Sequence, residues 1–512
     1  MMADSQSEVF AFLSDPRNWP GDPERVEVID THGARVFLAG DLVLKVKRAV
    51  RLPYLDFSTL DLRKRYCEHE LQINRAGAGS LYRDVIAITR QTDGSLAIDG
   101  RGTPVEWAVR MNRFGQDDLL KSIAARNALT LELCDHLADA IARYHAAAAI
   151  AGPGAERIDE VAGGVLSSLA RAAVPELREP LSAVEAGLAA ALTKTRALRA
   201  QRAASGHVRR CHGDLHLANI VMWQGQPVLF DALEFDEALA TIDTMYDLAF
   251  LLMDMERQNA RAHANAILNR YLWRTRGMSD VRALALLPLF MALRAAVRAL
   301  VALDRMAAMH DRAASLRASA RETLDFAADL LHPPAARLIV VSGLSGTGKT
   351  TLAKSIAPFV GPAPGALHLR SDMERKALAN VEPTERLDPS FYTRNSAHAV
   401  YGRILQRAEA ALRAGHAVII DAVMARPEER DDAERLAQRV GVVFAGLWLE
   451  GDEEILKRRV AQRTRDASDA TPEIVERQLG YQIGPMHWPR LDAAHTPQQT
   501  LHDARLALGL AG

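Results

Sequence analysis

Residues 338–356 leave this chain less freedom than any other stretch. Leu338-Ile-Val-Val341 is a short, branched apolar run that reads as a buried parallel strand. Gly343-Leu-Ser-Gly-Thr-Gly-Lys-Thr350 fits G-x-x-x-x-G-K-[ST], and Thr351-Leu-Ala-Lys-Ser-Ile-Ala continues with helical spacing. Strand, glycine-rich turn and helix are the context a phosphate-binding loop requires. The glycines let successive backbone N–H groups turn toward phosphate oxygens, and the helix N-terminus adds partial positive charge. In that arrangement Lys349 reaches the β and γ phosphates and Thr350 offers its hydroxyl to Mg²⁺. Gly343, Leu344, Ser345, Gly346, Thr347, Gly348, Lys349, Thr350 and Thr351 are therefore the expected cradle for ATP or GTP.

A chain of 512 residues exceeds one ordinary domain, so two to four are expected. A composition of 48% hydrophobic and 25% charged residues suits globular domains with full cores. The net charge of −1 supplies no basic field, which argues against a nucleic-acid partner. Met-Met-Ala-Asp-Ser-Gln-Ser-Glu has no apolar core and does not read as a signal peptide. The longest apolar run, 283–293, is interrupted by Pro288 and closed by Arg294, too short to span a bilayer. Three scattered cysteines argue against a disulfide framework. The expectation is a cytoplasmic protein with no membrane partner.

Strand signals dominate residues 1–115. Val36 to Lys47 forms two branched runs around Gly40-Asp41, a predicted hairpin. Ser58–Asn74 has helical spacing, and Val105–Met111 reads as another strand. From 116 to 332 long Ala/Leu-rich helices prevail, as over 133–149 and 182–202. His332-Pro-Pro-Ala-Ala marks a boundary, because two prolines cannot continue a helix. Strands then alternate with helices through 333–512, which predicts a parallel sheet with helices on both faces.

The densest polar constellation interrupts the helices. His212-Gly-Asp-Leu-His-Leu-Ala-Asn219 precedes an apolar strand, Pro227–Phe230, that ends at Asp231. Asp214 can accept a proton from a substrate hydroxyl, while Asn219 and Asp231 offer hard oxygen ligands for the Mg²⁺ that bridges ATP phosphates. Zinc binding by His207, Cys211, His212 and His216 is disfavoured, since their spacing fits no zinc motif. The stretch resembles the catalytic loop of the aminoglycoside phosphotransferase family, a branch of the protein-kinase-like fold. The resemblance implies that Asp214 is the catalytic base, Asn219 a metal ligand and Asp231 a second one. Asp243 and Asp247 resemble the family's structural D-x-x-x-D pair. It also implies a strand lysine paired with a helix glutamate. Lys45 and Lys47 both qualify on one strand face; Glu70 or Glu68 is the partner, and Lys45 with Glu70 is favoured. No clear glycine loop is present, and Asp236 competes with Asp231 in Phe-Asp-Ala-Leu-Glu-Phe-Asp.

Downstream of the phosphate loop, Leu367-His-Leu-Arg-Ser-Asp-Met-Glu-Arg-Lys is similar to the second strand of small-molecule P-loop kinases. That resemblance implies that Asp372 activates the acceptor hydroxyl and that Arg375 holds the acceptor or a phosphate. A helix cap at Met373 is the competing account of Asp372. Ala417-Val-Ile-Ile-Asp421 resembles the strand that carries a second acid for Mg²⁺, and Arg426 is a substrate-binding candidate. Arg459 and Arg463 share a helix face, and the loop after them resembles the lid of nucleotide kinases. There arginines neutralise the transferring phosphoryl group.

The sequence thus predicts an α+β, two-lobed, protein-kinase-like half (1–332, with a β-rich lobe to about 115) followed by an α/β P-loop NTPase half (333–512). It resembles bacterial fusions of a phosphotransferase with an AAA-type ATP-binding protein. The expected activity is transfer of the ATP γ-phosphoryl group, with Mg²⁺, to a hydroxyl of a small-molecule acceptor. The alternatives are an ATP-sensing regulator with slow turnover and a polynucleotide 5′-kinase in the second half.

Overall fold

The computed structural model describes residues 2–31, 33–52, 55–152, 157–308, 313–462 and 466–510. The chain forms two compact units, one of 1–161 with 199–251 and one of 162–198 with 252–512.

In the first unit the predicted hairpin is Ala34–Ala39 with Leu42–Lys47. It sits in a six-stranded antiparallel sheet, ordered Val26–Asp30, Ala34–Ala39, Leu42–Lys47, Thr103–Asn112, Tyr82–Arg90, Leu96–Ile98. Side chains alternate across the pleat. Leu44 and Val46 enter one core with Phe37, Ile86 and Ala108, closed by Val9 and Leu13 of the helix Met2–Ser14. That helix has no counterpart in the sequence reading. Val43 enters the opposite core with Cys67, Val109 and Met111, on the face that also carries Lys45 and Lys47. The helix Leu60–Ala78, capped by Thr59 Oγ, turns Arg63, Cys67, Glu70, Asn74 and Ala78 inward at helical spacing. The same spacing sends Glu68 outward, where it pairs with Lys64 at 3.8 Å.

The second unit is built on a five-stranded, wholly parallel sheet, ordered Leu367–Arg370, Val418–Asp421, Arg337–Gly343, Val443–Glu450, Arg490–Asp492. Helices cover both faces. Leu338–Val341 and Val418–Ile420 are fully buried, as strands covered on two faces must be. Registers Val341↔Asp421 and Arg370↔Asp421 bring the phosphate loop, Arg370 and Asp421 to one carboxyl edge. Ligands of open α/β sheets bind there. The last strand and the helix Pro497–Ala507 fall where the sequence offered no signal.

The Pro333-Pro334 break lies inside this unit, and the helix Arg261–Thr275 supplies the reason. Asn269 Oδ1 accepts the His368 N–H at 2.7 Å. Asn265 and Asn269 donate to the Ala366 carbonyl at 3.0 and 3.2 Å. Trp273 Nε1 donates to the Met373 carbonyl at 3.0 Å. Two amides thereby complete the edge of the strand Leu367–Arg370, whose ladder would otherwise be open on that side. The double variant Asn265→Leu/Asn269→Leu leaves a buried carbonyl without donors. It should cost this unit about 1–3 kcal/mol, read as a lower urea midpoint at unchanged m-value.

The stretch Met278–Met306 is long and apolar enough to cross a membrane, although 67% of its apolar window is buried. The sequence reading stopped at Arg294, but Arg294 is itself buried and the helix Leu287–Ala308 continues through it. It is a core helix of the unit.

Candidate active sites

In the first unit two lysines share one glutamate. Lys45 Nζ lies 2.8 Å from Glu70 Oε1 and Lys47 Nζ 2.6 Å from Glu70 Oε2. Each lysine has a second carboxylate: Asp231 Oδ1 at 2.5 Å from Lys45, and Glu234 against Lys47. The result is a buried ladder, Asp231–Lys45–Glu70–Lys47–Glu234. Glu70 is wholly inaccessible, and Lys45 and Lys47 are 12% and 1% exposed. Burial alone would raise the Glu70 carboxyl, but the two ammonium groups overcome it and bring it down to about 2. Burial likewise opposes the Lys45 ammonium, and the surrounding carboxylates hold it well above its usual value. Asp231 adopts φ of +59° at the end of its strand, directed by the Tyr82 hydroxyl, which accepts its N–H at 3.2 Å. Asp236 does a different job: its Oδ1 caps the helix Glu237–Ala240 by accepting the Ala238 and Leu239 N–H groups.

The loop 211–219 is held from beneath. Asp247, fully buried on the helix Thr244–Arg257, accepts the N–H groups of His212 at 3.1 Å and Gly213 at 2.9 Å. Asp243 takes both branches of the Arg202 guanidinium at 2.7 and 2.8 Å. Gly213 sits at φ +83°, and a Cβ there would meet Leu233 at 3.0 Å, so the turn excludes other residues. Above this floor, Asn219 Nδ2 donates to Asp214 Oδ2 at 2.9 Å, and His216 Nε2 lies 3.4 Å from the same oxygen. The Asp214 side chain is 40% exposed. The Asn219 amide oxygen and the Asp231 carboxylate are hard donors of the kind Mg²⁺ takes. His145, Cys211 and Asp247 come within 4.8 Å of one another. Asp247 is committed to the loop, however, and the Cys211 thiol donates to the Ile242 carbonyl at 3.4 Å.

In the second unit the phosphate loop joins the strand Arg337–Gly343 to the helix Lys349–Ile356. Gly346, at φ +89°, lies against the helix Glu453–Ala461, where a Cβ would meet the Leu456 carbonyl oxygen at 2.7 Å. Lys349 Nζ donates to the Leu344 carbonyl at 2.9 Å, arching over the loop. Thr350 Oγ1 donates to Asp421 Oδ2 at 2.6 Å, a charge-assisted bond. Burial opposes ionisation of Asp421, yet His368, Arg370 and Lys349 hold its carboxyl far below the usual range. A hydroxyl and an ionised carboxylate in contact form a fitting donor pair for Mg²⁺.

A cleft of about 600 Å³ opens beside this pair. Its walls bring together Ser345, Lys349, Thr350 and Asp421 with Asp372, Arg375 and Arg426. The helix Ser371–Ala379 already includes Asp372, so its carboxylate is not the N-cap; Arg370 holds that position. Burial raises the Asp372 carboxyl, against the pull of Arg370 and Lys349. Arg459, on the helix Glu453–Ala461, is not among the residues lining the cleft, and Arg463 lies outside the described residues. That helix ends at Ala461. Arg477, on the helix Pro472–Leu479, lines the cleft instead.

Sequence reasoning missed several groups. Glu234 stands in the quoted Phe-Asp-Ala-Leu-Glu-Phe-Asp segment, and only the fold shows it meeting Lys47. His368, two residues before Arg370 on its strand, is buried and points Nε2 to within 3.3 Å of Asp421 Oδ2. Arg370 reaches Asp466 at 3.0 Å, and Lys376 reaches Asp469 at 2.7 Å, so the loop beyond the helix Glu453–Ala461 is tied to the strand Leu367–Arg370 and the helix Ser371–Ala379. Gln478 Oε1 accepts the Ser345 N–H at 2.8 Å. The alternation of strand residues was the available signal for His368; the loop partners lie about 100 residues away and had none.

Comparison with known proteins agrees with this division of chemistry. Residues 113–287 match the family described as Phosphotransferase enzyme family, and residues 338–483 match an AAA domain. Uncharacterised proteins of Mycobacterium tuberculosis and Mycobacterium bovis are each 30% identical over 469 residues, covering 88% of this chain and 89% of theirs. Among solved structures, a choline/ethanolamine kinase family protein of Mesorhizobium loti is 16% identical, covering 65% of this chain and 95% of its own, with a TM-score of 0.40. A sugar kinase of a Janibacter species is 22% identical, covering 35% of this chain and 96% of its own, with a TM-score of 0.27. The chain belongs to the family of these mycobacterial proteins, and in it a phosphotransferase domain is followed by a P-loop kinase-like domain.

Proposed function

We propose that the protein is an ATP- and Mg²⁺-dependent phosphotransferase whose second unit transfers the γ-phosphoryl group to a hydroxyl of a small molecule. The observation that carries this is the cleft in which Lys349, Thr350, Asp421 and Asp372 face one volume at the sheet's carboxyl edge. A triphosphate needs the first three and an acceptor needs the fourth. The loop N–H groups and Lys349 orient the β and γ phosphates. Asp372 accepts the proton of the acceptor hydroxyl as the acceptor oxygen bonds to the γ-phosphorus and the bond to the β–γ bridging oxygen breaks, releasing ADP. Mg²⁺ held by Thr350 and Asp421 would supply charge neutralisation on the phosphates. Arg477 stands in the wall of the same cleft with Ser468, Asp469 and Ala470 of the tied loop.

The first unit offers a second ATP site, with Lys45 for the phosphates, Asn219 and Asp231 for Mg²⁺, and Asp214 as base. One observation favours ATP sensing with slow turnover in this unit. Asp231 is engaged by Lys45, and the segment after it is pinned by the buried Lys47–Glu234 pair, so both groups must separate before phosphates pass between them.

The test is label transfer from γ-labelled ATP with Mg²⁺ into a small-molecule extract, comparing wild type, Asp214→Asn and Asp372→Asn. A product lost only in Asp372→Asn is the expected result. Loss only in Asp214→Asn would move the activity to the first unit. Binding of ATP with no product in any protein would favour the sensor.

A further inference from the structure

The charge balance of the second unit's cleft says what its acceptor looks like. Four carboxylates and four cations line it: Asp372, Asp421, Glu429 and Asp469 against Lys349, Arg375, Arg426 and Arg477. Three of the carboxylates are already engaged by neighbouring groups. Asp469 takes Lys376 at 2.7 and 2.9 Å, the Tyr392 hydroxyl at 2.6 Å and the Leu387 N–H at 3.1 Å. Asp421 takes the Thr350 hydroxyl, with His368 and Arg370 at 3.3 and 3.6 Å. Glu429 accepts the backbone N–H of Arg426 at 3.2 Å, and burial raises its carboxyl.

The cations are not matched in the same way. Among the described residues neither Arg426 nor Arg477 has a carboxylate within 4 Å, and both are exposed to the cleft. Arg375 spends one amino group on the Phe391 carbonyl at 2.8 Å and lies over the Tyr392 ring at 4.9 Å. Its Nε is buried without a hydrogen-bond partner.

The three arginines divide by position. Arg477 adjoins Gln478, which holds the Ser345 N–H of the phosphate loop, and so belongs to the phosphoryl end. Arg375 follows Asp372 by three residues on the helix Ser371–Ala379, on the same face. Arg426 opens the helix Pro427–Val440, beyond the strand that ends in Asp421. These two belong to the acceptor end. Guanidinium groups are the side chains best matched to carboxylate and phosphate oxygens.

Resting on the phosphotransferase reading above, we propose that the acceptor is a small hydroxyl compound carrying its own fixed anion, a carboxylate or a phosphate monoester, and that Arg375 and Arg426 bind that anion while Asp372 receives the hydroxyl proton. A neutral polyol would leave both guanidinium groups in the cleft without a counter-charge.

The experiment uses the full chain with γ-labelled ATP and Mg²⁺ and three matched panels of three to six carbons: hydroxycarboxylates, sugar and polyol phosphates, and neutral polyols. Transfer to one of the anionic panels is expected, and which one accepts label separates carboxylate from phosphate. Arg375→Gln and Arg426→Gln should each raise the acceptor KM about tenfold or more, with the KM for ATP within about twofold of wild type. Arg426→Lys should recover part of the loss, because charge without the fork geometry is retained. Efficient transfer to neutral polyols, unchanged in both glutamine variants, overturns the proposal and leaves the phosphotransferase reading intact. Absence of transfer to all three panels, with ATP still bound, overturns the phosphotransferase reading and this proposal with it.

Discussion

Asp372→Asn lowers label transfer by the second unit about 10²- to 10⁴-fold, the range for removing a positioned general base, while ATP affinity stays within about twofold. The Asp372 carboxyl is partly buried beside Arg370 and Asp421, and burial raises it above its ordinary value. A base works only when ionised. Activity is therefore present above the raised pKa and lost as pH falls through it, and the acid limb of kcat/KM lies above the ordinary aspartate value of about 3.9. Arg370 acts against burial by favouring the ionised form. Arg370→Gln should then move the acid limb to higher pH. An Asp372→Asn protein with wild-type transfer, or an acid limb that Arg370→Gln leaves in place, would remove Asp372 from the mechanism.

Glu70→Gln destabilises the first unit by about 3–5 kcal/mol, the usual cost of breaking a buried ion pair from one side. Glu70 is wholly inaccessible and, among the described residues, the one carboxylate that meets both Lys45 and Lys47, which keep Asp231 and Glu234 after the change. At roughly 2–4 °C per kcal/mol for a unit of this size, the thermal midpoint drops by about 10 °C. The pH dependence follows from the depressed carboxyl. The folded value of about 2 lies below the unfolded value, so the unfolded state binds the proton first. The stabilisation is fully present above about pH 4.3 and is lost as pH falls toward 2. Wild type should show this acid loss, and Glu70→Gln should lack it. Hydrogen exchange of residues 34–47 and 60–78 assigns the effect to the first unit. A variant within about 1 kcal/mol of wild type at neutral pH would show that Asp231 and Glu234 suffice to hold both lysines.

These two residues were legible in the sequence to different degrees. Asp372 follows a short apolar strand that ends at the edge where ligands of parallel sheets bind, and its place in the cleft needed no partner to be guessed. Glu70 was one of two glutamates on a helix, chosen over Glu68 by resemblance. Burial separates them, because the helix that turns Cys67 and Asn74 into the core turns Glu70 with them and leaves Glu68 57% exposed. The choice between Lys45 and Lys47 has a similar answer: the strand places both on one face, and the fold joins both to Glu70.

Local order is what the sequence by itself determined. The glycine-rich turn, the strand before it, the His212–Asn219 loop and the parallel alternation after 337 are each written within a few residues, since hydrogen bonds and side-chain periodicity there are short in range. What only the tertiary structure decided involves partners far apart along the chain. Glu234 on Lys47, Asp466 on Arg370, Asp469 on Lys376 and the asparagine amides at the edge of the strand Leu367–Arg370 join residues about 90 to 190 positions apart. Such pairs leave no periodic trace, because a charge or an amide at an isolated position looks the same whether it faces solvent or a partner. The same holds for the unmatched arginines of the cleft. Their charge is in the sequence, but whether it is neutralised depends on which carboxylates the fold has already given to other residues.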